Sequence, residues 1–145
     1  DLIALAEDRS SSYDEHIKFV SLEVNAGSVE KAEAKLKLEM NNKVQSARIN
    51  GNGPVDATFN AIKKLTSTDF KLKLYQVNAI TAGTDAQGEV TVRLENEEIS
   101  SQAKGSDPDI IVASAKAYIS ALNRLIFKKT KSIKENTSSL EIRGV

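Results

Sequence analysis

Residues 31–41, KAEAKLKLEMN, alternate without a break. Ala32, Ala34, Leu36, Leu38 and Met40 fall on one side, and Glu33, Lys35, Lys37 and Glu39 on the other. A period of two is that of a strand with one buried and one wet face. A sheet built on such a strand must find an apolar layer to cover it, and that requirement constrains the rest of the chain.

The neighbouring stretches supply the remaining parts. HIKFVSLEVNAG, from residue 16, reads as a strand ending at Gly27, and KVQSARIN, from 43, as a third strand after a turn at Asn41-Asn42. A helix follows. Pro54 suits its first turn, where a missing N–H costs nothing. Val55, Phe59, Ile62 and Thr66 share one helical face, and Thr66-Ser67-Thr68 ends it. The pattern then restarts. DFKLKLYQVNAIT begins with Phe70, Leu72 and Leu74 on one side and shifts phase near Tyr75, which suggests a bulge. AGTDAQG reads as a turn, EVTVRLEN alternates Val90, Val92 and Leu94, and EEISSQAKG is a weaker strand. After SDPD a long helix carries Ile111, Ala115, Tyr118, Leu122 and Leu125 along one stripe. The order is βββα twice, an internal duplication of a unit of about 50 residues. Each half reaches its helix through a turn with glycine and proline, GNGP at 51–54 and GSDP at 105–108. The fold class is α+β. Residues 1–13 read as the end of a linker, 14–67 and 69–127 as the two units, and 128–145 as a tail. Ala113, Ala115, Ala117 and Ala121 in the second helix either let another backbone approach closely, on the twin helix or a second chain, or simply favour helix.

Bulk properties exclude several classes. Lys plus Arg and Asp plus Glu each number 20, so no charge footprint points to nucleic acid or an anionic membrane. Without cysteine there are no disulfides or thiolate metal sites. No apolar run is expected to reach the roughly 20 residues of a membrane helix. The acidic start, DLIALAEDRSSSYDEH, does not read as a signal peptide. The single histidine, His16, is expected to be structural or solvated. Motifs of metalloproteases, cysteine or serine nucleophiles and P-loops are absent from the sequence. Glu95, Glu97 and Glu98 read as a solvated turn. Lys128, Lys129, Lys131 and Lys134 read as lying at and beyond the end of the last helix, where they favour its dipole.

The glycine-proline turns carry the candidate chemistry. The first N–H groups of a helix lack internal partners and sit at the positive end of its dipole, where a carboxylate or phosphate is the natural guest. Gly51 and Gly53 lack Cβ, so a ligand or another backbone can come close. Asp56 and Asp109 either compensate the dipole or meet an ammonium group. A generic capped turn explains the same residues without a ligand.

NGNGPVDATFNAI, YQVNAITAGTDAQGEVTVRL and DIIVASAKAYISALNRL together resemble the C-terminal regulatory domain of the 2-isopropylmalate synthase family over about residues 14–127. The related domain of citramalate synthase shares this architecture. The resemblance implies two pseudo-symmetric βββα units forming one regulatory domain, dimeric, that binds an end-product amino acid and inhibits the enzyme. That effector is L-leucine for isopropylmalate synthase and isoleucine for citramalate synthase; an effector-insensitive dimerisation module is a further alternative. The family's catalytic part is an acetyl-CoA-dependent, divalent-metal-dependent TIM barrel, absent here, so no catalytic residue, metal ligand or cofactor is assigned to this chain. The implied partners are the effector, a second copy and the protein's own catalytic domain, with no nucleic acid or membrane, in the cytoplasm. By motif, the implied effector-binding residues are Gly51, Gly53, Pro54, Val55, Asp56 and Ala57, with Tyr75, Ala79, Ala86 and Gly88, and, by pseudo-symmetry, Asp109 and Ile110. The sequence departs from the family pattern before its second helix, with KGSDPDI where Gly-x-Gly-x-(Thr)-Asp-Ile is usual.

Overall fold

A computed structural model describes residues 16–25, 32–82 and 85–144, and side chains outside 79–86 and 130–144. The readings of residues 1–13 and of Gly27 lie outside the described residues. Two antiparallel three-stranded sheets are each followed by a helix. The first unit comprises β1 (Ile17–Asn25), β2 (Ala32–Met40), β3 (Lys43–Gly51) and α1 (Pro54–Thr66). The second comprises β4 (Lys71–Ala82), β5 (Asp85–Glu95), β6 (Ser100–Asp107) and α2 (Ile110–Gly144). The strands are joined in sequence order, β1-β2-β3 and β4-β5-β6.

The alternation in β2 is realised as expected: Ala32, Ala34, Leu36 and Leu38 are buried, beneath α1. β2 turns into β3 through Asn41 and Asn42, both at positive φ (54° and 63°). Two such residues in a two-residue loop give the twist that antiparallel strands need, and asparagine tolerates that conformation better than most residues. α1 ends at Ser67, φ 53°, whose N–H bonds back to Lys64 O. The bulge expected near Tyr75 lies between Leu72 and Leu74, where the β4–β5 register shifts. Beyond it Tyr75 pairs with Val92 and turns toward the core.

Several elements differ from the sequence reading. The β4–β5 pairing continues to Ala82↔Asp85, so the strands consume most of the expected AGTDAQG turn. β6 starts and ends later than the weak EEISSQAKG pattern suggested, because Asn96 closes the preceding turn. Its Oδ1 accepts from the N–H of both Glu98 and Ile99 (2.8 and 2.9 Å), and its N–H donates to Ile99 O. Glu97 and Glu98 are exposed on that turn, as expected, while Glu95 closes β5 and faces Arg93 and Lys73 at 3.6 and 3.8 Å. Gly105 therefore lies inside β6 rather than in a turn. α2 runs to Gly144, so Lys128, Lys129, Lys131 and Lys134 sit within the helix and not past its end.

The stretch Ile110–Lys129 is, by length and composition, apolar enough to cross a membrane, contrary to the sequence expectation. Just over half of it, 56%, is buried inside the fold. Ala113, Ala115, Ala117, Tyr118, Ala121, Leu122 and Leu125 are buried, and α2 touches β5 and β6 of its own unit, β1 of the other, and α1. The alanines do serve close packing, but against a strand. A Cβ on Gly105 would lie 2.5 Å from Ala117 N and 2.6 Å from Ala113 O. Gly51 plays the same part under α1, where a Cβ would lie 2.6 Å from Ala57 Cα and 2.8 Å from Asp56 C.

A candidate effector site at the start of α1

The first backbone bond of each helix, Ala57 N–H to Gly53 O and Ala113 N–H to Asp109 O, both 2.9 Å, matches Gly53 with Asp109, Ala57 with Ala113 and Thr58 with Ser114. The equivalence is chemical as well as positional. Thr58 Oγ1 donates to Pro54 O (2.7 Å) and Ser114 Oγ to Ile110 O (2.8 Å), each buried one turn into its helix. On this alignment Gly105 is not the counterpart of Gly51; Asp107 is, each being the last residue of its strand.

The two starts differ in what fills them. Asp109 caps α2: its Oδ1 accepts from Ile111 N–H at 2.8 Å, and Asp107 Oδ2 accepts from Asp109 N–H at 2.9 Å. Asp107 also meets Lys116 Nζ at 3.0 Å. The Asp109 amide, with Lys116 beside it, holds the Asp107 carboxyl below its ordinary value against a smaller opposing effect of burial. At α1 the cap is Gly53, in extended conformation (φ −166°, ψ 174°), with no side-chain bond to the helix amides. Nothing lies within 4 Å of where a Gly53 Cβ would be. Asp56 turns its Oδ2 outward to Asn52 N–H (2.9 Å) and Asn60 Nδ2 (3.5 Å), bracing the turn without reaching the helix amides.

The expected effector residues divide into two groups. Gly51 and Ala57 are buried in the strand–helix contact, leaving Asp56 exposed and Gly53, Pro54 and Val55 half-buried at the α1 start, with Val55 packed against the core. Around α2, Gly88 faces Ile110, whose side chain occupies the space a Cβ on Gly88 would need. Ala79 pairs with Gly88 and Thr81 with Ala86 along the hairpin. Asp109 is exposed and engaged as a cap. Tyr75 links the groups: its hydroxyl bonds Ser114 Oγ at 2.7 Å, and its ring meets Phe59, one turn into α1, edge to face with centroids 5.8 Å apart. Phe59 in turn leans on Tyr118 at 4.6 Å. Sequence reading did not single out Phe59 or Ser114 for this link, because each looks like one more core position of its own helix.

Two grooves among the described residues lie elsewhere. One of about 580 Å³ runs between β1 and the β6–α2 face, past Ile17, Phe19, Lys104 and Lys116. Another, of about 260 Å³, crosses the wet face of the first sheet. Neither is lined by the expected effector residues. His16 is exposed at the head of β1. Among the described residues no group of three His, Cys, Asp or Glu side chains is placed to hold a metal ion.

The sequence pattern of the LeuA allosteric (dimerisation) domain matches residues 1–126. The chain belongs to that family. Three similar proteins are each named 2-isopropylmalate synthase. That of Rhodopseudomonas palustris (strain TIE-1) is 44% identical over 144 residues, covering 99% of this chain and 28% of the relative. That of Methylorubrum populi is 50% identical over 125 residues, covering 86% and 24%. That of Afipia carboxidovorans is 48% identical over 131 residues, covering 90% and 25%. The chain thus spans about a quarter of the length of these relatives. The LeuA-type domain seen here is the α+β, twice-βββα architecture that the sequence motifs imply.

Proposed function

We propose that this chain is the effector-sensing, dimerising domain of a 2-isopropylmalate synthase, that it binds L-leucine, and that binding inhibits condensation of acetyl-CoA with 2-oxoisovalerate in a separate catalytic barrel. The observation that carries the reading is the asymmetry of the two helix starts: α2 is capped by Asp109, whereas α1 offers uncapped amides at Val55 and Asp56 beside open space at Gly53. An α-amino acid fits that arrangement. Its carboxylate accepts from the α1 amides. Its ammonium meets the Asp56 carboxylate, whose Oδ1 accepts no bond among the described residues. Its branched side chain lies toward Val55 and the β4–β5 hairpin, a burial worth about 1.5–3 kcal/mol.

We expect a second copy to complete the site, as a LeuA allosteric (dimerisation) domain implies. β4 supports that arrangement: it is a free sheet edge, with Leu72 and Val77 40% and 45% exposed. Inhibition requires that leucine bind one state of the whole enzyme better than another. The divalent metal and acyl-transfer chemistry belong, on this reading, to the barrel, and the whole enzyme works in the cytoplasm on soluble metabolites.

Thermal unfolding with leucine, isoleucine and valine in turn tests the proposal. Leucine should raise the midpoint most, and Gly53→Asp should fold normally and lose the response. A preference for isoleucine would assign the domain to a citramalate synthase. A dimer indifferent to all three amino acids would leave an association module only.

A further inference from the structure

Asparagine followed by glycine occurs twice in this chain, back to back, at Asn50-Gly51 and Asn52-Gly53. The fold treats the two pairs differently. Asn50 and Gly51 belong to β3, in register with Glu33 and Ala32. Asn50 O also accepts from Asn60 Nδ2 at 3.4 Å, and Gly51 is buried against α1. Asn52 and Gly53 have left the sheet and not yet entered the helix. Asn52 is exposed, Gly53 is extended, and the space beside it is open. Among the described residues the Gly53 N–H donates to no partner.

We propose that Asn52 is a deamidation site, and that Asn50, with the same neighbour, is protected. Hydroxide removes the proton of the Gly53 backbone nitrogen, which attacks Cγ of Asn52. A C–N bond forms within a five-membered succinimide ring, and the side-chain nitrogen leaves as ammonia, taking its third hydrogen from water. Water then opens the ring at either carbonyl and leaves aspartate or isoaspartate. One water is consumed and one ammonia released overall, with no change of oxidation state. Glycine at the attacking position matters because no Cβ obstructs the approach. At Asn50 the attacking nitrogen belongs to a residue held in the strand, and the ladder must open first.

The product places a new negative charge immediately before the α1 cap, next to Asp56, whose Oδ2 already accepts from Asn52 N–H. If the proposed leucine site is right, this charge opposes the effector's carboxylate, so the response would fade as the protein ages. That consequence rests on the functional reading; the modification does not.

The test is peptide mass mapping, with fragmentation and isoaspartate detection, of the full-length protein held warm at mildly alkaline pH. Conversion at Asn52 should outpace that at Asn50 by about tenfold or more. Asn52→Gln and Gly53→Ala should each suppress it. Equal rates at the two positions, faster conversion at Asn50, or an Asn52 that stays intact while the denatured chain converts would overturn the proposal. In a second arm, Asn52→Asp is titrated with leucine beside the parent. Affinity about fivefold weaker supports the coupling, and equal affinity refutes the coupling alone. A parent blind to leucine refutes the functional reading and leaves the mass result standing.

Discussion

Asn123 in α2 and Ile17 in β1 exchange two hydrogen bonds: Asn123 Oδ1 accepts from Ile17 N–H at 3.0 Å, and Asn123 Nδ2 donates to Ile17 O at 2.9 Å. Both residues are buried. A side-chain amide here takes the place of a missing neighbouring strand, and it joins the first residue of one unit to the helix of the other. Asn123→Ala would leave a buried N–H and C=O unpaired, at about 1–3 kcal/mol each. We expect a loss of about 2–5 kcal/mol in urea unfolding, and a loss below 1 kcal/mol would contradict the geometry.

The glycines should separate cleanly by position. Gly51→Ala and Gly105→Ala push a methyl into helix backbone and should each cost about 1–3 kcal/mol or more. Gly53→Ala meets nothing and has an ordinary extended φ, so it should shift stability by less than about 1 kcal/mol. Denaturation midpoints of the three variants, measured side by side, decide this.

Tyr118 carries the one buried side-chain polar atom with no hydrogen-bond partner among the described residues. Burial, with a smaller contribution from Asp69, pushes its pKa up from 10 to about 12. The folded state holds the proton more tightly than the unfolded chain, so this contribution to stability is complete below pH 10 and is lost as pH rises from there through about 12. Tyr118→Phe should be neutral or slightly stabilising at pH 7. It should also flatten the alkaline fall, by roughly 3 kcal/mol at most, relative to the parent. Matching alkaline unfolding curves for the two proteins would contradict this account.

Asp107 gives the opposite sign. Its carboxyl is held below the ordinary 3.8 by the Asp109 amide and Lys116, so its contribution is present above that value and fades as pH drops through the lowered one. Asp107→Asn should abolish that part of the acid-induced loss. Asp109→Ala removes the α2 cap and should cost about 0.5–2 kcal/mol at neutral pH, read from thermal or urea unfolding.

What the sequence disclosed follows from which interactions are local. The alternation in β2, the asparagine turn and the Pro54 helix start are written within a few residues of one another, and each appears where it was expected. The duplicated order was legible for the same reason. The register between duplicates was not. GNGP and GSDP look alike as strings, yet β6 continues through Gly105 to Asp107, because pairing with β5 outweighs the local preference of glycine for a turn. The end of α2 was missed since its last turns lack a periodic apolar face. The candidate site was half legible. The bare start of α1 could be inferred from Gly53 and Pro54, while the capping of α2 depends on side-chain directions that one string of letters does not fix. The Phe59–Tyr75–Ser114 link spans three elements and leaves no spacing signal at all.

α2 covers β5 and β6 of its own unit and also reaches β1 and α1 of the first, so the second repeat closes one flank of the first. A backbone nick between Ser67 and Phe70 would cut the covalent thread but leave that flank contact in place. The two fragments should then remain a noncovalent pair, whereas the leading fragment produced by itself would lack the Asn123 amide that pairs the Ile17 N–H and C=O.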